Sequence, residues 1–134
     1  MLGTADVMQW LKSLGAFDAE TKWTMARLDA AKEKRIGVYP LEDTCGASDV
    51  AIGGADATLT RTGRWRVLVH WTKNAKETEE AAMALATALS PAPSPDMDGI
   101  ASAYPQLERC ENVGADENGI FEQVILLAIH YQEV

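Results

Sequence analysis

The sequence predicts an α+β domain, a mostly antiparallel β-sheet flanked by two main α-helices, and three stretches carry the prediction. In GRWRVLVHWTKN, Trp65, Val67, Val69 and Trp71 alternate with Arg66, Leu68, His70 and Thr72. That two-residue period, rich in β-branched and aromatic residues, marks a strand with one strongly buried face. AKETEEAAMALATALS follows, with Thr78, Ala82, Leu85 and Leu89 at helical spacing and Lys76, Glu77, Glu79 and Glu80 nearer water. Near the end, Val124 to Ile129 is apolar on both faces, as in a central strand shielded on both sides. Strands outnumber helices, and nearly all connections suit antiparallel pairing.

Taken in order, Thr4 is expected to cap a first helix, with Asp6 in its first turn. Val7, Trp10, Leu11 and Leu14 fall at i, i+3, i+4 and i+7, and Gly15 offers the left-handed stop. From Phe17 to Lys34 the pattern is ambiguous: helix formers prevail, yet Trp23 and Met25 alternate weakly against Thr24 and Ala26. RIGVYPLE is a strand with Ile36 and Val38 on one side and Gly37, Tyr39 and Leu41 on the other. Pro40, lacking an amide hydrogen, places an edge or a bulge there. EDTCGAS is expected as a turn and DVAIGG as a short strand, the two flanking strands forming a hairpin.

The helix after the central strand should start at an Asn74 N-cap, with Glu77 reaching back to the Asn74 amide in a capping box, and should end at Pro91. PAPSPDMDG is a Pro-rich loop. ASAYPQLERCENV is a strand with Tyr104 and Leu107 as candidates for burial and an irregularity at Pro105. Asn118-Gly119 marks a tight hairpin turn.

A chain of 134 residues is expected to form one domain over residues 1–134, large enough to bury roughly two thirds of its unfolded surface. No run approaches the roughly 20 apolar residues of a membrane helix, and the N-terminal pattern is not that of a signal peptide. The net charge of −8 opposes general nucleic-acid binding, which needs clustered Lys and Arg. Cys45 and Cys110 match no metal or redox spacing and are expected as reduced thiols of a protein made in the cytoplasm.

Candidate chemistry is sparse. His70 and His130 are the only histidines, both within strands. One reading pairs them across neighbouring strands as metal ligands or a base; the blander and favoured one makes each a solvent-side or partly buried strand histidine. No Cys or acidic residue keeps metal-ligand spacing with either. IGGAD lacks the Lys-Ser/Thr and helix start of a phosphate cradle. No serine sits in a nucleophile elbow. The sequence therefore predicts no catalytic residue, no cofactor and no metal.

Arg61, Arg64 and Arg66 form a basic cluster in an acidic chain, either solvated or a protein–protein patch. The segments Asp43 to Ser48, Ala55 to Thr62 and Ser90 to Gly99 are expected as long loops, mobile or used for docking.

EKRIGVYPL, AIGG, VLVHWTKNAKETEEAA and VGADENGIFEQVILLAIHY, in that order, resemble the phage minor capsid proteins encoded just before the major tail protein. That group is similar to the tail terminator, or tail completion, proteins of long-tailed phages. The likeness runs from the first helix to the last strand and rests most on IGVY, HWTKNAKETEEAA and ENGIFEQV. It implies a tail-terminator-like fold in which Lys22–Leu28 is an early strand. It also implies a virion protein, made in the bacterial host, that closes into a ring, usually a hexamer, on the head-proximal end of the tail. Its partners would be copies of itself, the major tail tube protein and the head connector or stopper protein, with no membrane and no specific nucleic acid. A head completion or connector role in the same particle is the alternative; a small ligand-binding α+β domain is the less favoured one. The family has no catalytic residues to carry over.

Overall fold

The computed structural model of the chain describes residues 2–18, 20–25, 28–45, 60–89 and 100–133. The elements are α1 (Thr4–Ser13), β1 (Lys22–Thr24), β2 (Arg35–Cys45), β3 (Thr60–His70), α2 (Ala75–Leu89), β4 (Ile100–Ala115) and β5 (Phe121–Glu133). The five strands form one sheet in the order β1-β2-β3-β5-β4. This is the α+β architecture expected; β3 is the middle strand, and β5, expected as central from its two-sided apolar run, is an interior strand one place in from the β4 edge.

Alternation decides which side chains meet the helices. Ile36, Val38, Trp65, Val67, Val69, Ile125, Leu127, Ile129 and Tyr131 are buried in one cluster with Val7, Trp10 and Leu11 of α1 and Ala81, Leu85 and Leu89 of α2. Each fully buried Val, Leu or Ile contributes about 1.5–3 kcal/mol. The shallow alanine face of α2 lets that helix lie close to the strands. Gly63 belongs to the same face, where the Trp65 ring lies over it and leaves no room for a Cβ.

Local chemistry departs from expectation at both helix starts. Gly3, not Thr4, is the N-cap of α1; Thr4 is already helical and its Oγ1 accepts a hydrogen bond from Trp65 Nε1 (3.3 Å), tying α1 to β3. At α2, Asn74 Oδ1 accepts from the Lys76 and Glu77 amides, as an N-cap should. The Asn74 amide, however, donates to Thr72 Oγ1, and Thr72 in turn donates to Glu77 Oε2 (2.9 Å). A buried hydroxyl therefore bridges the two halves of the capping box. Gly15 and Gly119 take the left-handed conformation, at φ 72° and 77°. α2 ends at Leu89, and Pro91 lies outside the described residues.

Of the Lys22–Leu28 strand that the resemblance implies, only Lys22–Thr24 is strand, with Met25 and Leu28 outside it; it pairs with β2 in parallel, against the antiparallel rule of the other strands. The expected turn at Asp43–Cys45 is instead the end of β2, which pairs through Cys45↔Arg61 with β3. Long strands here extend ladder hydrogen bonds past the point where apolar alternation fades. The DVAIGG strand and its hairpin lie outside the described residues, as do the remainders of the three expected loops, except that Thr60–Thr62 belongs to β3. The bulge falls at Pro40/Glu42, beyond the three residues that β1 covers.

In β4 the burial expectation fails: Tyr104 is 76% exposed and Leu107 is also exposed, while Ala103 is buried. As the outer strand, β4 is covered from one side only. Its register shifts fall at Ile100/Ser102, Leu107/Arg109 and Asn112/Gly114, so the edge position absorbs Pro105 without a break there.

Trp71 lies just past β3 and is half-buried, its ring 4.9 Å from that of Phe17. Trp65, at 2% exposure, is the core tryptophan. Trp65→Ala should therefore cost about 3–5 kcal/mol. Trp71→Ala should cost clearly less, and urea unfolding of the two variants checks the order.

Candidate functional site

The sheet has two unlike faces. Opposite the helices, β3 presents Thr62, Arg64, Arg66, Leu68 and His70, and β5 presents Glu122, Val124, Leu126, Ala128 and His130. Two polar groupings stand on this face, at its two ends.

The first is built on His70, fully buried although it is on the face away from the helices. The β3–β5 register sets His70 directly across from Glu122. Its Nδ1 lies 2.9 Å from Glu122 Oε2 and 3.8 Å from Asp116 Oδ2. Its Nε2 lies 2.9 Å from the carbonyl oxygen of Ala30. A carbonyl only accepts, so Nε2 carries the proton of that bond and the ring orientation is set. Nδ1 is the ring nitrogen turned toward the two carboxyl groups, with Glu122 the nearer.

Each neighbour is held in turn. Asp116 Oδ1 accepts from the amides of Asn118 (2.9 Å) and Ile120 (3.0 Å), which turns Oδ2 toward the histidine. Asn118 Nδ2 donates to the same Ala30 carbonyl (3.1 Å). Asp29 Oδ1 accepts from the Ala31 amide, shaping the loop that offers Ala30. Four segments thus meet at one imidazole: the β1–β2 loop, the end of β3, the β4–β5 turn and the start of β5. Arg35 is the β2 residue across from His70, and its Nε is buried without a partner. His70, Asp116 and Glu122 offer ligand atoms within 4.8 Å of one another, the one such group among the described residues.

Sequence spacing did not reveal this group. The expected solvent-side or partly buried histidine is fully buried at position 70, and two acidic residues do approach it. Neither is close in sequence; a strand register and a hairpin turn deliver them. The Asn118-Gly119 turn signal and the strand alternation together held the information, had the pairing of β3 with β5 been known.

His130 is elsewhere. It lies across from Thr62, whose Oγ1 is 2.9 Å from His130 Nδ1, while Gln106 Oε1 is 2.9 Å from Nε2. Positions 122 and 130 are eight residues apart on β5, about 27 Å at the rise of a strand. The two histidines therefore form no pair. Cys110 is a free, exposed thiol on β4, and desolvation by partial burial pushes its pKa up, leaving less nucleophilic thiolate. The separation of the two histidines keeps the three residues from sharing one cleft.

The arginine cluster is divided by strand parity. Arg61 falls on the helix side of β3, Arg64 and Arg66 on the open side. Arg64 Nε pairs with Glu108 Oε1 at 3.1 Å. Arg66 is exposed and makes no ion pair among the described residues. It rims a shallow groove of about 330 Å³ with Tyr39, Leu68, Val113 and Val124. Exposed Leu41, Tyr104 and Val113 add apolar surface to the strands.

No family model and no curated protein matches the chain. Among solved structures, a chain of the virion of a native gene transfer agent (GTA) particle superposes with a TM-score of 0.57. The match covers 98% of this chain and 99% of that one at 13% sequence identity. The two chains share a fold.

The histidine group predicts a stability effect. His70→Leu leaves Glu122, Asp116 and the Ala30 carbonyl without their central partner and should destabilise the protein by about 1–3 kcal/mol, measured by urea unfolding.

Proposed function

We propose that the chain is a structural protein of a phage-like virion: a tail terminator that closes into a ring, of hexameric size, on the head-proximal end of the tail tube. There it stops tube polymerisation and forms the joint to the head connector or stopper protein. The observation that carries this reading is the end-to-end fold likeness to a chain of a gene transfer agent virion, joined to the resemblance of the sequence to tail completion proteins.

The open sheet face suits the role. A closing ring needs head-to-tail contacts that differ on the two sides of each subunit. An apolar groove rimmed by Arg66, which makes no ion pair among the described residues, supplies apolar area together with a charge contrast that sets registry on a chain of net charge −8. Arg66 is the best placed of the three arginines, because Arg64 is already engaged by Glu108 and Arg61 lies on the helix side. An enzyme has little support beside it: His70 and His130 stand at opposite ends of the β3–β5 pairing, too far apart to act together. The role proposed is assembly, not turnover.

Sedimentation and negative-stain microscopy of the protein with its cognate tail tube protein should show rings and capped tubes of limited length. A chain that stays monomeric while tubes grow unchecked would sink the proposal. Binding to head components and not to tube ends would move the protein to the head completion role. Arg66→Glu should change folding stability by no more than about 0.5 kcal/mol. The same change should weaken assembly by about tenfold or more, equivalent to about 1.4 kcal/mol; equal assembly of variant and wild type would return Arg66 to a solvated surface residue.

A further inference from the structure

The group at His70 has the form of a metal centre, and nothing in a virion assembly role calls for one. We infer that His70 Nδ1, Asp116 and Glu122 bind a divalent transition-metal ion such as Zn²⁺, clamping the β4–β5 turn and the β1–β2 loop to the ends of β3 and β5.

The histidine is presented as a metal ligand is. A ligating imidazole donates its other N–H to a carbonyl or carboxylate, which fixes the tautomer and aims the free lone pair at the ion. Here Nε2 meets the Ala30 carbonyl at 2.9 Å, and Nδ1 is the nitrogen turned toward two carboxylates. Asp116 is prepared in the same way: two backbone amides hold Oδ1, and Oδ2 faces the imidazole.

The distances fit. Donors at 2.0–2.2 Å from a tetrahedral Zn²⁺ lie about 3.3–3.5 Å from one another. Nδ1 lies 2.9 Å from Glu122 Oε2 and 3.8 Å from Asp116 Oδ2, which brackets that spacing, and the three donors lie within 4.8 Å of one another, so the two carboxylates need only shift modestly to close on one ion. One nitrogen and two oxygens from three side chains leave a fourth position for water, and the side chains of Asp116 and Glu122 keep 15% and 17% exposure, so the ion has a way in.

Charge balance points the same way. Two carboxylates around a neutral imidazole carry two negative charges; a bridging proton cancels one, a divalent ion both. Arg35 stands across the strands from His70 yet ion-pairs with neither carboxylate among the described residues. Both acids face Nδ1 of His70 and leave Arg35 unpaired by either of them.

Zn²⁺ titration into the full chain after chelator treatment, followed by calorimetry and by elemental analysis, tests the site. Wild type should take up one equivalent and gain melting temperature with added zinc. Asp116→Asn and Glu122→Gln keep the size of each side chain, and the amide introduced by the first retains an oxygen for the turn N–H groups. Each variant should bind zinc at least about tenfold more weakly while keeping the native circular dichroism. In ¹⁵N spectra of the imidazoles, zinc should shift Nδ1 of His70 and leave its Nε2–H in place. Failure of wild type to take up zinc would overturn the inference. Uptake equal to wild type in both variants would do the same, since the ion would then sit elsewhere. Neither result bears on ring formation, which is read out separately with tail tubes.

Discussion

The uninterrupted pairing of β3 with β5 governs the rest of the molecule. Eleven residues of each strand match from Thr60↔Gln132 to His70↔Glu122 without a register shift, whereas the flanking pairings of β2 and of β4 both contain irregularities. A slip of one residue there would turn every inward side chain outward. Trp65, Val67 and Val69 would leave the helices, and His70 would lose Glu122. The two core strands are thus held in phase by the apolar face they share with α1 and α2, and that phase positions everything polar.

The consequence is a division of labour between faces. The helix side is a continuous hydrophobic cluster, joined at its margins by single polar contacts such as Trp65 Nε1 to Thr4 Oγ1 and the Leu2 amide to Tyr131 Oη. The opposite side mixes buried Val124 and Ala128 with an exposed arginine and an apolar groove. Such a face suits contact with another protein surface better than capture of a small molecule, because its polar groups are spread along the strands and do not converge. Convergence occurs at the two ends of the face, around His70 and, with fewer partners, around His130.

How far each feature was legible depended on the range of the interaction behind it. α1, α2, β3, β5 and the Asn118-Gly119 turn follow from local periodicity and local backbone preference, and they lie where the residues placed them. β1 was ambiguous because three residues give no usable period; its strand state comes from parallel pairing with Arg35–Gly37. Tyr104 was misplaced because an edge strand can leave a large aromatic in water when only one side is covered. The extension of β2 to Cys45 came from ladder bonds to β3, which no local pattern reports.

The chain by itself determined the fold class, the two helices and the core face of the central strand. These depend on spacings of two to four residues, which the backbone converts directly into faces. Tertiary structure alone decided that His130 stands far from His70, and that Asp116, Glu122 and the Ala30 carbonyl close around one imidazole. Those outcomes require knowing which strand lies beside which. Strand order is set by the burial of the whole sheet against both helices, and no short stretch of the chain contains it.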